Sequence, residues 1–162
     1  MNFDDLSELL DRCDANDRLG LGQCAASIAA EIDLLHLPDP LARLLKAHWP
    51  QTPGLPWIAG YTINTSAEIC SVANREDFRP NSLLCIGGDG GGDSLLIDLE
   101  SDPEDMLVLD HETFDWDTPL RSFTASLHMS LTEFFRRSAD REPIPRGYYD
   151  AIDAANLDSN SG

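Results

Sequence analysis

Seven residues near the middle of the chain, Gly87-Gly88-Asp89-Gly90-Gly91-Gly92-Asp93, lie between two short apolar stretches, Ser82–Ile86 and Ser94–Leu99. Glycine is too permissive to continue a strand, and it supplies the backbone conformations that a reversal needs. The run is long enough to turn the chain back on itself and too short to hold a crossover helix. Its flanks are therefore expected to pair as an antiparallel hairpin. A phosphate-binding loop would end in Gly-Lys-Ser/Thr, or space its glycines as Gly-x-Gly-x-x-Gly ahead of a helix. This run does neither, and its aspartates repel phosphate. Asp89 and Asp93 are calcium-ligand types, but the spacing of an EF-hand loop is missing.

The other elements follow from periodicity. Phe3, Leu6, Leu9 and Leu10 mark one side of a helix over Phe3–Arg12, and a loop is expected over Asp14–Gly22. A second helix is predicted from Gln23 to Leu35, with Cys24, Ala25, Ile28, Ile32 and Leu35 inward. Asp39 and Pro40 suit the N-cap and first position of a third, whose stripe is Leu41, Leu44, Leu45 and His48. Trp57–Ile63 reads as a strand, and Thr65 with Glu68 as a capping box opening a short helix. Asn74–Asn81 reads as a turn region, Met106–Asp110 as a strand, and Glu112–Asp117 as an extended segment. A last helix should bury Leu127, Leu131, Phe134 and Phe135, although Ser130 with Glu133 forms a capping signal inside that pattern. Helices, then a meander of strands, then a helix give an α+β fold with a mainly antiparallel sheet in one domain. Three parts are expected: a helical extension over 1–22, the α+β domain over 23–140 and a polar tail over 141–162.

Charge narrows the partner. The chain of 162 residues has 29 Asp and Glu against 11 Lys and Arg, a formal net charge of −18. Nucleic acid and anionic membrane surfaces are disfavoured, since both are held by basic groups. Between Arg79 and Arg121 there is no Lys or Arg, while eleven carboxylates occur there. Such a block is a solvated face that keeps the protein soluble, or a surface that captures a basic partner. Its candidate partner-binding residues are Asp89, Asp93, Glu100, Asp102, Glu104, Asp105, Asp115, Trp116 and Asp117. Trp116, between two aspartates, is either a hot-spot residue or an inward-facing core side chain.

Little points to catalysis. His36, His48, His111 and His128 form no His-x-x-x-His or His-x-x-Glu pair, and there is no Gly-x-Ser-x-Gly elbow. His111 beside Asp110 and Glu112 is the one arrangement suggesting half of a metal or acid–base site. Cys13, Cys24, Cys70 and Cys85 lack Cys-x-x-Cys spacing, so reduced buried thiols are expected, with no metal and no cofactor. No basic region leads into an apolar run at the N-terminus and no stretch is long enough to span a bilayer, so a cytoplasmic location is expected.

Several segments in order resemble the SUKH superfamily. Leu37-Pro38-x-x-Leu41 with Leu44 and Leu45 resembles its helical entry, and Leu84–Leu99 with the glycine run its central hairpin. Val108-Leu109-Asp110-His111-Glu112, followed by Ser130-Leu131-Thr132-Glu133-Phe134-Phe135, resembles its last strand and closing helix. The resemblance spans about Leu35 to Arg137; the residues before Ile32, the proline-rich loop after the third helix and the tail depart from it. It implies an antiparallel, curved sheet flanked by helices and, for most bacterial members, an immunity protein that neutralises a cognate toxin. It implies no catalytic residues. Acidity then suggests a basic, nuclease-like toxin. The alternatives are a regulatory interaction module of the same fold, and a small-molecule-binding protein or enzyme working near His111.

Overall fold

The computed structural model describes residues 2–54, 57–101, 104–113, 115 and 117–159, and side chains as far as 156. It shows an α+β domain built on one antiparallel meander. Six strands, β3 (Trp57–Ile58), β4 (Tyr61–Ile63), β5 (Leu83–Asp89), β6 (Ser94–Asp98), β7 (Asp105–Leu109) and β8 (Thr124–Ser130), lie in chain order across the sheet. A separate ribbon joins β1 (Leu21–Gly22) to β2 (Trp49–Pro50). The glycine run makes the expected hairpin: Gly88 pairs with Ser94 and Leu83 with Asp98. A bulge between Cys85 and Gly87 shifts the register. Glycine is required at Gly87, where a Cβ would run into the backbone of Thr62 on β4.

Both sheet faces are buried, which is why these strands read as continuous apolar runs instead of alternating ones. Leu84, Ile86, Leu95, Ile97, Met106 and Val108 face the main core. There they meet Leu6 and Leu10 of α1 (Phe3–Asp17), Leu41, Leu44 and Leu45 of α3 (Asp39–Ala47), and Phe134 and Phe135 of α5 (Leu131–Asp140). Leu83, Leu96, Leu107 and Leu109 face the other way, under Leu120 and the half-buried Phe78 and Phe123. The connection from β7 to β8 thus folds over the second face, tied down by the two hydrogen bonds from the Arg121 guanidinium to Asp98 at 2.7 and 2.8 Å.

Several boundaries differ from expectation. α1 runs on to Asp17, and its Leu6, Leu10 and Cys13 are fully buried in the common core. α2 spans only Ala26–Leu34, and Ala25 is an exposed N-cap. The expected strand at Trp57–Ile63 is itself a tight hairpin, turning at Ala59 and Gly60, both with positive φ. The capping box is present: Glu68 accepts from the Thr65 N–H at 2.7 Å, and Thr65 Oγ1 accepts from the Glu68 N–H at 3.2 Å. It opens α4 (Ser66–Ile69), which leads into a π-helical turn at Asn74–Phe78 and a 3-10 turn at Arg79–Asn81.

Two corrections are larger. Leu127 belongs to β8, where it and Met129 point inward while His128 is exposed. The four-residue step from Leu127 to Leu131 imitates a helix, but Ser130 accepts from the Glu133 N–H and starts α5 one residue later. The polar tail over 141–162 carries α6 (Gly147–Ser159), which packs on β7 and β8. Its inward groups are as small as Ala151 and Gly147, so no apolar stripe announced it.

Candidate functional site

β6 begins and β7 ends beside the glycine loop, because Ser94 pairs with Leu109, and the start of α6 arrives at the same place. The loop is built around Asp89, whose Oδ1 accepts from the N–H groups of Gly91 and Gly92 at 2.8 Å and of Asp93 at 2.9 Å. Asp93 then joins three segments. Its Oδ1 accepts from the His111 N–H at 3.2 Å and lies 2.8 Å from His111 Nδ1, and its Oδ2 accepts from the Tyr148 N–H at 2.9 Å. The α6 N-terminus therefore takes its capping carboxylate from the hairpin, 55 residues away in sequence.

Tyr61 completes the anchor. Its hydroxyl donates to the Pro145 carbonyl at 2.7 Å and accepts from the Gly147 N–H at 2.9 Å. Gly147 has φ 80°, and a Cβ there would meet Asp89 Oδ2 at 2.7 Å and Asp93 Oδ2 at 3.1 Å, so only glycine fits. Burial pushes the Tyr61 phenol up to about 12, so it stays protonated as a donor. Burial also opposes ionisation of Asp93, but hydrogen bonds from the His111 ring and from the Tyr148 and His111 N–H groups outweigh it and hold the carboxyl below its ordinary range. The same hydrogen bond raises the His111 imidazole above its usual value.

A cavity of about 240 Å³ opens here, with Gly91, His111, Glu112, Arg146 and Tyr149 on its rim. Among the described residues Asp93, Asp110 and His111 converge closely enough to hold a cation, their ligand atoms all within 4.8 Å. The oxygens are already engaged, however. Asp110 Oδ1 accepts from the Glu112 N–H at 2.9 Å and Oδ2 from the Thr113 hydroxyl at 2.6 Å. A cation would compete with the chain's own donors at both aspartates. The His111–Asp93 pair is a carboxylate-oriented imidazole, the form that acid–base chemistry uses. Here, though, the carboxylate also holds the loop and the helix in place.

The predicted partner-binding residues do not form one surface. Asp89 closes β5 and Asp93 ends the glycine loop. Asp115 and Asp117 belong to the connection after β7, with Asp117 beside Glu76, Asp77 and Asn81. Glu100, Glu104 and Asp105 lie at the sheet end away from the glycine loop. Asp93 is only 8% exposed and unavailable to a partner, which corrects its assignment to the surface. Asp105 is half-buried and accepts from the Ser126 hydroxyl at 2.6 Å. Glu104 is half-buried as well, and Glu100 is exposed 3.3 Å from Arg121. Asp115 and Asp117 are exposed. Asp102 and Trp116 lie outside the described residues. Sequence reasoning missed Tyr61, Gly147 and Tyr148; a Pro-Arg-Gly turn ahead of Tyr148 was the available signal.

No protein-family model, curated protein or solved structure matches this chain. The family resemblance consequently rests on the ordered motifs alone. Among the described residues no helix is long and apolar enough to cross a membrane.

Proposed function

We propose that the chain is a non-catalytic binding protein that captures a basic protein at its glycine-loop end, in the manner of an immunity protein neutralising a toxin. One contrast carries the reading. The inner carboxylates Asp89, Asp93 and Asp110 are taken up by the protein's own donors, while the acids of the connection after β7 are exposed: Glu112 beside the inner group, Asp115, and Asp117 farther along, next to Glu76, Asp77 and Asn81. Here the buried acids hold the scaffold and the exposed ones face outward, in a span with no Lys or Arg from 80 to 120. Exposed aromatics flank that rim: Trp57 is 49% and Tyr149 60% exposed, the residue types most enriched in binding hot spots. The exposed Arg146 is a cation on the same cavity.

A toxin-neutralising role is tested by expressing the product of a neighbouring gene together with this chain. Growth should be restored by the wild-type chain and lost with Glu112→Lys, Asp115→Lys and Asp117→Lys combined, the fold being checked by circular dichroism. Rescue by the triple variant would remove the rim from the account. Failure of the folded wild-type chain to bind or neutralise any neighbouring product would remove the toxin.

The His111–Asp93 pair supports a second reading, a small-molecule site in the 240 Å³ cavity. His111→Ala separates the two: a binding protein retains partner capture, and a small-molecule site loses its ligand.

A further inference from the structure

A second surface, beside the C-terminus of α2, is lined by cations. A groove of about 360 Å³ lies between the C-terminus of α2 and the π-helical turn, lined by Leu34, Leu35, His36, Arg75, Arg79 and Pro80. No carboxylate lines it, although the chain carries 29. Arg79 is fixed by the last turn of α2: its Nε donates to the Leu35 carbonyl at 2.9 Å and its Nη2 to the His36 carbonyl at 3.5 Å. Cations suit a helix C-terminus, but these partners are neutral dipoles, and among the described residues no carboxylate pairs with the Arg79 guanidinium. Its Nη1 is buried with no hydrogen-bond partner. Arg75, one turn earlier, makes only a long ion pair with Glu31 at 3.7 Å, and both side chains are 42% exposed. A pair so open to water exchanges readily for another carboxylate.

The apolar side of the groove is equally uncovered. Leu34 is 66% exposed. A single exposed leucine needs no explanation, but an apolar ledge beside two arginines in a strongly acidic protein has a definite chemical character. The π-helical turn that presents Arg75 is also specified by the fold. Asn74 donates to the Ile69 and Cys85 carbonyls at 2.8 Å, and its Oδ1 accepts from the Cys85 N–H at 2.7 Å. It is thereby stitched to β5, and π-turns are kept mostly where a side chain must be held in a particular place.

We infer that this groove docks a segment of a partner protein in which an acidic side chain stands next to an apolar one, the carboxylate on Arg75 and Arg79 and the apolar group on Leu34. This surface is separate from the acidic rim and does not depend on the rim's role. The probe is a fluorescently labelled eight-residue peptide of alternating leucine and glutamate, blocked at both ends, followed by anisotropy. Two controls replace glutamate by glutamine, or leucine by serine. Saturable binding to the wild-type chain is expected, at least about fivefold weaker for each control peptide and for Arg75→Gln. Arg75 is exposed, so this variant keeps the fold, and Arg79→Lys serves as a second variant that preserves charge but loses the fork to the α2 carbonyls. No saturable binding, or equal binding by Arg75→Gln, would overturn the proposal. Equal binding of either control peptide would do the same, as would preferential binding of octanoate, which would assign the groove to a small acid.

Discussion

Asp93 gathers more of the structure than any other polar side chain in the site. It receives the His111 ring and N–H groups and the first-turn N–H of α6, and its own carbonyl accepts from the Asp89 N–H at 2.9 Å. Replacing it with alanine leaves the His111 and Tyr148 donors without an acceptor, at a cost of about 1–3 kcal/mol by chemical denaturation, while the bond from the Asp89 N–H to its carbonyl remains. Asp93→Asn should also return the His111 imidazole towards about 6.5 in an NMR titration. The two groups place opposite signs on pH. Because the Asp93 carboxyl is depressed in the folded state, its contribution is complete above the unfolded value of about 3.9 and is lost as pH falls through the lower folded value. His111 is raised, so its contribution is complete below about 6.5 and is lost as pH rises through its folded value. His111→Ala should therefore flatten the alkaline decline and also weaken the part of the acid limb that Asp93 sets, since the His111 ring helps hold that carboxyl down; an unchanged alkaline limb would break the link between these residues. Tyr61→Phe removes both the Pro145 and the Gly147 contacts and should cost about 1–2 kcal/mol, with faster amide exchange at the start of α6.

At the scale of elements, the glycine hairpin separates conformational from steric need. Gly92, with φ 111°, is the one glycine of the run in the left-handed region, and its neighbour is the His111 ring. Gly90 needs neither freedom nor space, since a Cβ there would sit 3.6 Å from the Trp57 ring in ordinary contact. Gly90→Ala should therefore leave the melting temperature nearly unchanged, whereas Gly87→Ala must push β4 away from β5 and should cost about 2 kcal/mol or more. An equal effect at the two positions would mean that the loop is held by something other than close strand approach. Much of this was readable in the sequence. The hairpin, the Thr65 box and the α3 stripe are local signals, each contained in a few consecutive residues. The missing parts are long-range. α6 has no apolar stripe and is held by Tyr61 and Asp93 from distant strands, so no window of sequence contains its reason to form. β8 was masked because Leu127 and Leu131 keep helical spacing across the Ser130 cap. The candidate site inherits that limit: Asp89, Asp93 and His111 were visible, but the fact that Asp93 is used up internally was not.

Over the whole molecule, a net charge of −18 sets both stability and encounter. Like charges repel most in the compact state, so moderate salt should raise the denaturation midpoint at neutral pH. A midpoint that fell with salt would mean that ion pairs such as Arg136 with Glu133 and Glu142 outweigh the repulsion. For partner capture the rim should act on encounter more than on residence, since exposed charges steer approach and are screened by salt. The direct measurement is stopped-flow association with whichever neighbouring-gene product the chain binds, at low and high salt, for the wild-type chain and for the Glu112→Lys, Asp115→Lys, Asp117→Lys variant. The account predicts a wild-type rate that falls steeply with salt and a variant about tenfold slower at low salt, with dissociation little changed. Equal association rates for the two proteins, independent of salt, would contradict it.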